Sequence, residues 1–406
     1  MIAIEGRLAA AGLPALPRMA WLEIDLDAIA ANLRLLRELA GPAVPIHPVV
    51  KADAYGHGAT PVALALVRAG ADGLCVATLD EALALRVGEV AGPIHVLYPI
   101  PPGGVGDAAT NGLSVTIGDR ASEESLLGAV ATLPAGTAAL AVHVEVETGL
   151  GRGGIAIAEL AGAMERLTTA PGVHPTALWT HLQAPEDDQL TADQLARFDQ
   201  ASEVLRAAGL VMPRHVAASA GILAGNVPAY DGIRPGLAIY GLIPDELEPG
   251  SPGARAGAAL RPALSLHARP VRVADLPAGW GISYGPTFRT ERPSRIATLP
   301  FGYGDGWSRA LSNRAEALVR GIRVPIVGRV AMDAVMVDVT DVPGPPVDER
   351  DPFVLIGRQG DAAITVADVA RLRTTNAWEV VTSMARRLPR VYHAASGPLG
   401  LRTLIG

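Results

Sequence analysis

Cysteine, aromatic residues and long apolar runs are all scarce in this chain. Cys75 is the only cysteine, so no intramolecular disulfide can form, and its strand-like neighbours GLCVAT predict a buried thiol. The formal charge is −7, and no basic cluster alternates with aromatics, which argues against a nucleic-acid surface. No apolar run is long enough to cross a bilayer, and the first residues lack a signal-peptide pattern. We therefore expect a cytoplasmic protein that has neither nucleic acid nor membrane as a partner.

The chain is long enough for more than one domain. It has 406 residues, of which 49% are hydrophobic and 18% charged, so it can bury a large core. Its 45 glycines and 33 prolines are spread along the whole length. That distribution is typical of turns between many short elements and not of a disordered tract. Two ordered domains are therefore predicted.

Short apolar runs alternate with helix-like segments between about residues 45 and 242. This alternation indicates βα units, and about eight of them predict an α/β fold with a closed TIM-type (β/α)8 barrel. An open doubly wound sheet stays possible, because periodicity does not show closure. The runs are Ile46 to Lys51, Gly73 to Ala77, Ile94 to Tyr98, Leu113 to Ile117, Ala139 to Val146, His174 to Thr180, Arg214 to Ser219 and Gly232 to Tyr240.

The pattern changes after the stretch EPGSPGARAGAA. Downstream segments such as DPFVLIG are strand-like and joined by short turns, which predicts a mostly β second domain. We expect an N-terminal extension at residues 1–18, the barrel at 19–250 and the mostly β domain at 251–406. The strand-like segment WLEIDL, Trp21 to Leu26, could join either domain.

The segment VVKADAYGHG, Val49 to Gly58, places Lys51 at the end of a buried strand. Active sites of barrel enzymes gather at such strand ends. Burial lowers the pKa of a lysine and favours the neutral amine that attacks carbonyl groups. Tyr55 follows at a spacing that lets its hydroxyl turn back to the same mouth. A snorkelling surface lysine beside a packing tyrosine also fits these residues.

The whole segment resembles the lysine motif of the alanine racemases. In that family this lysine binds pyridoxal 5′-phosphate (PLP) covalently. The resemblance covers nearly everything from about Trp21 to the C-terminus. It implies a PLP enzyme without a metal ion that acts on a small amino acid.

The segment GLGRGG, Gly149 to Gly154, formally fits a dinucleotide-binding fingerprint. The next strand ends in Thr180 and His181 without a carboxylate to hold a ribose, so this interpretation is rejected. ETGLGRGGI resembles a racemase segment, which implies that Arg152 faces the phenolic oxygen of the cofactor ring and contacts the substrate. A guanidinium stays charged and donates in a fixed fork, which suits an anion.

Two positions depart from the family. Glu145 stands where many members have a lysine, often carbamylated, that steadies the arginine. A carboxylate and a carbamate are both planar acceptors, so Glu145 could supply the same charge; an exposed strand residue is the alternative. Trp378 stands where the family usually has a tyrosine that contacts phosphate, and we expect it only in the pocket wall.

Three further segments, WTHLQAPEDD, HVAASAG and GIRPGLAIYGL, match racemases at successive strand ends. They contain His181, Ser219 and Arg234, each of which taken alone is more often a core or turn residue. Their order and number carry the resemblance. It implies a phosphate-binding cup formed by Ser219, Tyr55 and the backbone amides near Gly236 and Leu237.

Arg234 has the clearest mechanistic meaning. The family arginine at this position hydrogen-bonds the ring nitrogen of PLP. Because arginine keeps its proton, that nitrogen stays unprotonated and the ring withdraws electrons less strongly. This limits side reactions such as transamination, whereas decarboxylases of the same barrel class have a carboxylate at this place.

The second domain contributes GISYGPTF, whose Tyr284 resembles the second catalytic base of the racemases. Racemisation needs acid/base groups on both faces of the substrate carbon, and one lysine reaches only one face. A cationic partner must lower the pKa of this tyrosine, which a chain of His181 and Arg234 could do. In the family the tyrosine comes from the opposite subunit, which implies a homodimer with shared active sites. A packing or turn tyrosine is the other interpretation.

The segment GRVAMDAV adds Met332 and Asp333. Family members bind the substrate carboxylate at this methionine's backbone amide, beside the aspartate; a core methionine is the alternative. We predict interconversion of L- and D-alanine, with Lys51 serving the D-enantiomer and Tyr284 the L-enantiomer, to supply D-alanine for peptidoglycan. Racemisation of another small amino acid such as serine, decarboxylation and non-catalytic PLP carriage are the alternatives. Arg234 argues against a decarboxylase, and the last third of the chain argues against a carrier.

Overall fold

A computed structural model describes residues 4–405 of the chain. The strands are β1 (Ala20–Asp25), β2 (Leu74–Val76), β3 (Ile94–Val96), β4 (Leu113–Ile117), β5 (Leu140–Glu145), β6 (Val173–Trp179), β7 (Arg214–His215), β8 (Leu264–Ala268), β9 (Arg272–Leu276), β10 (Gly281–Ile282), β11 (Phe288–Arg289), β12 (Ser294–Leu299), β13 (Glu316–Val319), β14 (Ile322–Pro325), β15 (Val335–Asp338), β16 (Phe353–Gln359), β17 (Ala362–Ile364), β18 (Arg390–Ala394) and β19 (Gly397–Arg402).

The helices are α1 (Ile4–Ala10), α2 (Leu26–Ala40), α3 (Lys51–Tyr55), α4 (Ala59–Arg68), α5 (Leu79–Val87), α6 (Val105–Thr110), α7 (Arg120–Val130), α8 (Ile157–Thr169), α9 (Asp188–Ala207), α10 (Ser219–Ala224), α11 (Pro252–Ala256), α12 (Val366–Arg373) and α13 (Ala377–Thr382). Short 3₁₀ turns lie at Pro102–Gly104, Leu237–Tyr240, Gly257–Ala259, Tyr303–Asp305 and Arg309–Leu311.

The chain divides into two compact units. The barrel unit comprises residues 29–54 and 59–261. The β unit comprises the described residues up to Ala28, the segment Tyr55–Gly58 and the residues from Pro262 onward. The predicted boundaries after residues 18 and 250 stay a prediction.

The parallel strands of the barrel unit close into a ring. Strands β2 to β7 pair in sequence order. Val49 bridges Cys75 in β2, and Ile46 bridges Ile233, both in parallel register. The Arg234 N–H donates to the carbonyl of Ala217, just after β7, at 2.8 Å. The segments around Ile46 and Ile233 therefore serve as the first and eighth strands. This confirms the predicted TIM-type barrel and excludes the open sheet.

The barrel strands are buried because helices cover their outer faces. All three residues of β2 and of β3 are buried, as expected for parallel strands covered on both sides. Cys75 lies in β2 and is buried as predicted, which raises the pKa of its thiol to about 12. The eighth predicted run is too long, because Leu237–Tyr240 forms a 3₁₀ turn and not a strand.

The β unit is built on a sheet in the order β14-β13-β16-β8-β1-β18-β19, with β17 paired to β16. Strand β1 is antiparallel to β8 and parallel to β18, so the segment WLEIDL joins this unit. Trp21 packs with Ile4, Leu8 and Val391 in a buried cluster. A second sheet has the order β15-β12-β9, and β10 and β11 form a hairpin. The prediction of a mostly β C-terminal domain is confirmed.

Membrane-spanning helices are not found in the described part of the chain. No helix among residues 4–405 is both long enough and apolar enough to cross a bilayer.

Candidate active site

Lys51 stands where the first barrel segment ends and a left-handed turn begins. The turn is α3, in which φ is 51° at Ala52, 56° at Asp53, 53° at Ala54 and 52° at Tyr55. None of these residues is glycine, and each left-handed non-glycine residue costs about 1–2 kcal/mol. Such strain persists only where the surroundings enforce it, and it is typical of functional sites.

Two carboxylates hold this turn in place. The Ala52 N–H donates to Glu81 Oε1 at 2.6 Å, and the Ala59 N–H donates to Asp53 Oδ1 at 2.8 Å. The second oxygen of Glu81 accepts from the Ala77 N–H at 2.8 Å. Glu81 therefore ties the end of β2 to the backbone just after Lys51.

Lys51 is partly buried, and this depresses its basicity. Its pKa lies below the usual value because burial disfavours the ammonium, and the positive charge of Arg152 adds to the effect. The fraction of neutral, nucleophilic amine rises accordingly. Lys51 is also the only lysine in the chain, a signal in the sequence that its motif alone does not convey. Every other basic side chain of the Lys/Arg type is an arginine.

Arg152 lies beside Glu145 and Tyr98. Its Nη2 is 3.8 Å from Glu145 Oε1, and its guanidinium carbon is 5.7 Å from the centre of the Tyr98 ring. Glu145 is only 6% exposed. Burial raises the pKa of its carboxyl, while Arg152 and Arg234 oppose that shift. Glu145 is thus a buried ion-pair partner of Arg152 and not an exposed strand residue.

The glycine loop before α8 does not offer its amides to a phosphate. The carboxylate of Glu147 accepts from the N–H of Gly149 at 2.5 Å and from that of Gly151 at 3.0 Å. These are the groups that would hold a pyrophosphate in a dinucleotide site. The loop is thus capped by its own side chain, in agreement with the rejection of that interpretation.

Arg234 is buried and fully engaged at its two terminal nitrogens. Nη1 donates to the Nδ1 atom of His215, in a short contact, and to the His215 carbonyl at 2.9 Å. Nη2 donates to the carbonyl of Thr180 at 3.0 Å and to that of Val216 at 3.4 Å. Within residues 4–405 these acceptors bind only the two Nη atoms, so the Nε–H stays available to a ligand. Burial lowers the Arg234 pKa to about 10, so the guanidinium stays charged at neutral pH.

His181 is surrounded by positive charge. Its pKa falls to about 3, first because it is buried and then because of Arg234, Arg152 and Lys51. The ring is therefore neutral at pH 7. The imidazole that hydrogen-bonds Arg234 is His215, which the sequence motif HVAASAG contains but which the sequence interpretation did not single out.

Ser219 is the first residue of α10 and accepts hydrogen bonds from backbone amides near Gly236. Its Oγ accepts from the N–H of Gly236 at 2.9 Å and from that of Ala238 at 3.1 Å. Leu237 begins the 3₁₀ turn between them. Ser219, Gly236 and Leu237 are thus neighbours, as their proposed common role requires.

The remaining predicted residues belong to the β unit. Tyr55 is buried, and its carbonyl oxygen is 2.9 Å from His57 Nδ1. Tyr284 follows β10 and is 77% exposed, and Met332 is 53% exposed. Asp333 accepts a hydrogen bond from Arg387 Nη2 at 2.6 Å, and Trp378 lies half-buried in α13. Their arrangement relative to Lys51 stays a prediction.

The barrel unit therefore assembles one set of predicted residues. Mutual electrostatic effects link Lys51, Arg152, His181 and Arg234. An amine with a lowered pKa beside two guanidiniums suits an anionic ligand that carries a carbonyl group. Sequence reasoning missed Glu81, which holds the turn, and His215, which holds Arg234.

Comparisons with known proteins converge on one family. The family model “Alanine racemase, N-terminal domain” matches residues 24–244, and “Alanine racemase, C-terminal domain” matches residues 263–392. The chain is 41% identical over 385 residues to an alanine racemase of Symbiobacterium thermophilum, covering 92% of this chain and 97% of that one.

Solved structures similar to this chain are also amino-acid racemases. The alanine racemase from Bacillus anthracis with bound L-Ala-P has a TM-score of 0.88 and 35% identity, covering 97% of this chain and 99% of that one. A histidine racemase from Leuconostoc mesenteroides subsp. sake has a TM-score of 0.82 and 28% identity, covering 93% and 99%.

Proposed function

The chain belongs to the alanine racemase family, and from this premise we propose that it interconverts L- and D-alanine with PLP bound at Lys51. The observation that carries the proposal is the placement of the only lysine. It is partly buried, its pKa is lowered, and a strained turn fixes it at the end of the first barrel segment. A neutral amine is what attachment to an aldehyde requires.

The residues of the barrel unit fit PLP chemically. Lys51 would hold the aldehyde carbon, Arg152 the phenolic oxygen, and the Nε–H of Arg234 the ring nitrogen. The phosphate would lie at Ser219 and the amides near Gly236 and Leu237. When bound, PLP withdraws electrons from the substrate's α-carbon and makes its proton acidic.

Arg234 keeps the ring nitrogen unprotonated in this proposal. Its pKa of about 10 lies well above neutrality, so it donates a hydrogen bond and does not transfer its proton. The rival decarboxylase would need an acidic group at this place, and the groups that accept hydrogen bonds from Arg234 are carbonyls and a neutral histidine. This favours racemisation.

Two bases would share the proton transfer. Lys51 would remove the proton from D-alanine and Tyr284 from L-alanine, with His181 and Arg234 supporting the charge at the site. Met332 and Asp333 would receive the substrate carboxylate together with Arg152. The large exposure of Tyr284 in the single chain leaves it free to act in the site of a second subunit, as in a homodimer with shared sites.

Alanine is the proposed substrate, and the D-alanine formed would be used for peptidoglycan synthesis. The similarity to a histidine racemase makes a larger substrate the second candidate. Serine is a third. A cytoplasmic location remains a prediction.

Reductive labelling tests the cofactor site. We expect purified protein to be yellow, and borohydride reduction followed by peptide mapping to place one pyridoxyl group on Lys51. Because no other lysine competes, the N-terminal amine is the only other amine that could be labelled. Lys51→Arg, which keeps the charge without a removable proton, should stay unlabelled. A label confined to the N-terminus would refute the assignment.

A substrate panel tests the reaction. Purified enzyme with PLP should form D-product fastest from L-alanine in a panel that includes L-serine, L-lysine and L-histidine. A preference for L-histidine would favour the second candidate. Carbon dioxide release without D-product would indicate the decarboxylase.

A further inference from the structure

Four histidines on alternate barrel strands, which we call the histidine layer, interact electrostatically with Arg234. His47 lies in the first barrel segment, His95 in β3, His143 in β5 and His215 in β7, so they come from alternate strands. Layers of four side chains from alternate strands are the usual filling of such barrels, although branched apolar residues normally form them. The family's proposed reaction uses none of these four rings directly.

Three of the rings are in close contact. The centres of the His95 and His143 rings are 3.9 Å apart, and those of His143 and His215 are 5.1 Å apart. The His143 Nδ1 atom lies 3.0 Å from the His215 Nε2 atom. Burial lowers the pKa of all four rings, so the layer is uncharged at neutral pH.

The hydrogen-bond partners of His215 and His143 determine which ring nitrogen carries the proton. A guanidinium only donates hydrogen bonds, so His215 Nδ1 must accept from Arg234 and its proton must be on Nε2. That Nε2–H then donates to His143 Nδ1, which places the His143 proton on its own Nε2. The tautomer of one histidine thus sets that of the next.

The tautomer of His95 follows from a separate pair of hydrogen bonds. The hydroxyl of Thr116 donates to the carbonyl of Val96 at 3.0 Å, so it accepts from His95 Nε2, 2.9 Å away. The His95 Nδ1 atom is then an unprotonated, buried acceptor, and no partner for it is found within residues 4–405.

The same nitrogens raise the question of a metal ion. Within residues 4–405, ligand atoms of His95, His143 and His215 lie within 4.8 Å of one another, a spacing that a metal could use. A metal on His215 Nε2 would move the proton to Nδ1, directly against the donor Arg234. The hydrogen bond between His215 and Arg234 forms without an ion, which argues against a metal.

We propose that the histidine layer is an uncharged support for Arg234, in which His143 is a positioning residue: it accepts the His215 Nε2–H and so holds the His215 ring with its Nδ1 toward Arg234. Through His215 it sets the direction of the Arg234 guanidinium, and so the direction in which Nε–H points. This inference rests on the proposed function only where it concerns PLP, because the tautomers are a property of the protein alone.

Nitrogen-15 spectra of histidine-labelled full-length protein test the tautomers without any variant. We expect His215 to be protonated on Nε2 and unprotonated on Nδ1, with or without added PLP. Protonation of His215 on Nδ1 would overturn the proposal. So would a stoichiometric transition metal found by elemental analysis of the purified protein.

Three variants test the consequence for PLP. His143→Leu removes the acceptor, and we expect its dissociation constant for PLP to rise about two- to tenfold, the factor that one lost hydrogen bond represents. His143→Asn keeps an acceptor close to the position of Nδ1 and should restore both the affinity and the His215 spectrum. His174→Leu, on an exposed histidine of β6, is the matched control and should change neither.

The outcomes separate the two proposals. Failure of the wild-type protein to bind PLP would refute the proposed cofactor but leave the His215 tautomer as the test of the layer. Normal PLP affinity in a folded His143→Leu variant would refute the role of His143 while leaving the racemase proposal intact.

Discussion

The Glu145 carboxylate lies next to the Arg152 guanidinium and packs closely against two glycines. A Cβ on Gly118 would stand 3.3 Å from Glu145 Oε2, and one on Gly153 would stand 3.4 Å from it. The Oε1 atom is 3.8 Å from Arg152 Nη2. We expect Glu145 to supply to Arg152 the negative charge that a carbamylated lysine supplies in many alanine racemases.

Glu145→Gln should raise the KM for alanine about two- to tenfold, because a neutral amide holds Arg152 less firmly than a carboxylate does. The kcat should change less. Steady-state kinetics of Glu145→Gln measure this change, and Glu159→Gln, on the exposed side of α8, is the control.

Activity of the wild-type enzyme should not depend on added bicarbonate, because no carbamate is needed where Glu145 already supplies a carboxylate. Assays in carbon dioxide-free buffer, with and without bicarbonate, measure this. Stimulation by bicarbonate would contradict the assigned role of Glu145.

Glu81→Ala should loosen the left-handed turn after Lys51. The change removes the acceptor of the Ala52 and Ala77 amides, so the free energy of unfolding should fall by about 1–3 kcal/mol. PLP should also dissociate faster, because Lys51 is no longer held. Urea unfolding and cofactor release measure the two effects. Glu38→Ala, on an exposed position of α2, is the control, and equal losses in both variants would argue against a specific role of Glu81.

Much of the barrel could be predicted from the sequence, but periodicity alone did not distinguish a closed barrel from an open sheet. The inner strands form continuous apolar runs whose period is easy to detect. The first and eighth strands contain Pro45, Pro48 and Pro235, which lack an N–H, and they pair through single bridges such as Ile46 with Ile233. Their role depends on contacts between residues far apart in the chain.

Site residues that lie in a recognisable motif could be predicted. Residues whose role depends on a partner far away in the chain were missed. Lys51 and Arg234 stand in recognisable segments, whereas nothing in the letters ADAY predicts four positive φ angles. Glu81 imposes that conformation from 29 residues away. A histidine in a strand is usually read as core, so the contact between His143 and His215 was not anticipated.

The buried histidines should make the barrel sensitive to acid. His143 and His181 have pKa values of about 3 because they are buried, and those of His95 and His215 also lie well below 6.5. Unfolded histidines bind protons near pH 6.5, so between pH 6.5 and about 3 the unfolded state holds more protons. Stability should therefore fall as the pH drops through that window and be insensitive to these groups above it.

The slope of this pH dependence can be assigned to single residues. Each histidine that stays neutral in the fold contributes about 1.4 kcal/mol per pH unit within the window. Urea unfolding between pH 6 and pH 4 should therefore show a slope smaller by about that amount in His143→Leu than in wild type. The exposed His174→Leu should retain the wild-type slope. Equal slopes in all three proteins would contradict the burial argument.

A mixture of two inactive variants tests the two bases and the shared site together. Lys51→Ala and Tyr284→Phe should each be nearly inactive, because each removes the base on one face of the substrate carbon. If subunits exchange freely and pair at random, about half of the dimers are heterodimers. In each heterodimer one site receives both defects and the other receives none, so about a quarter of wild-type activity should return. Subunit exchange is verified with differently tagged chains, and each variant incubated alone under the same conditions is the control. Verified exchange without recovery would mean that Tyr284 acts within its own chain or is not the second base.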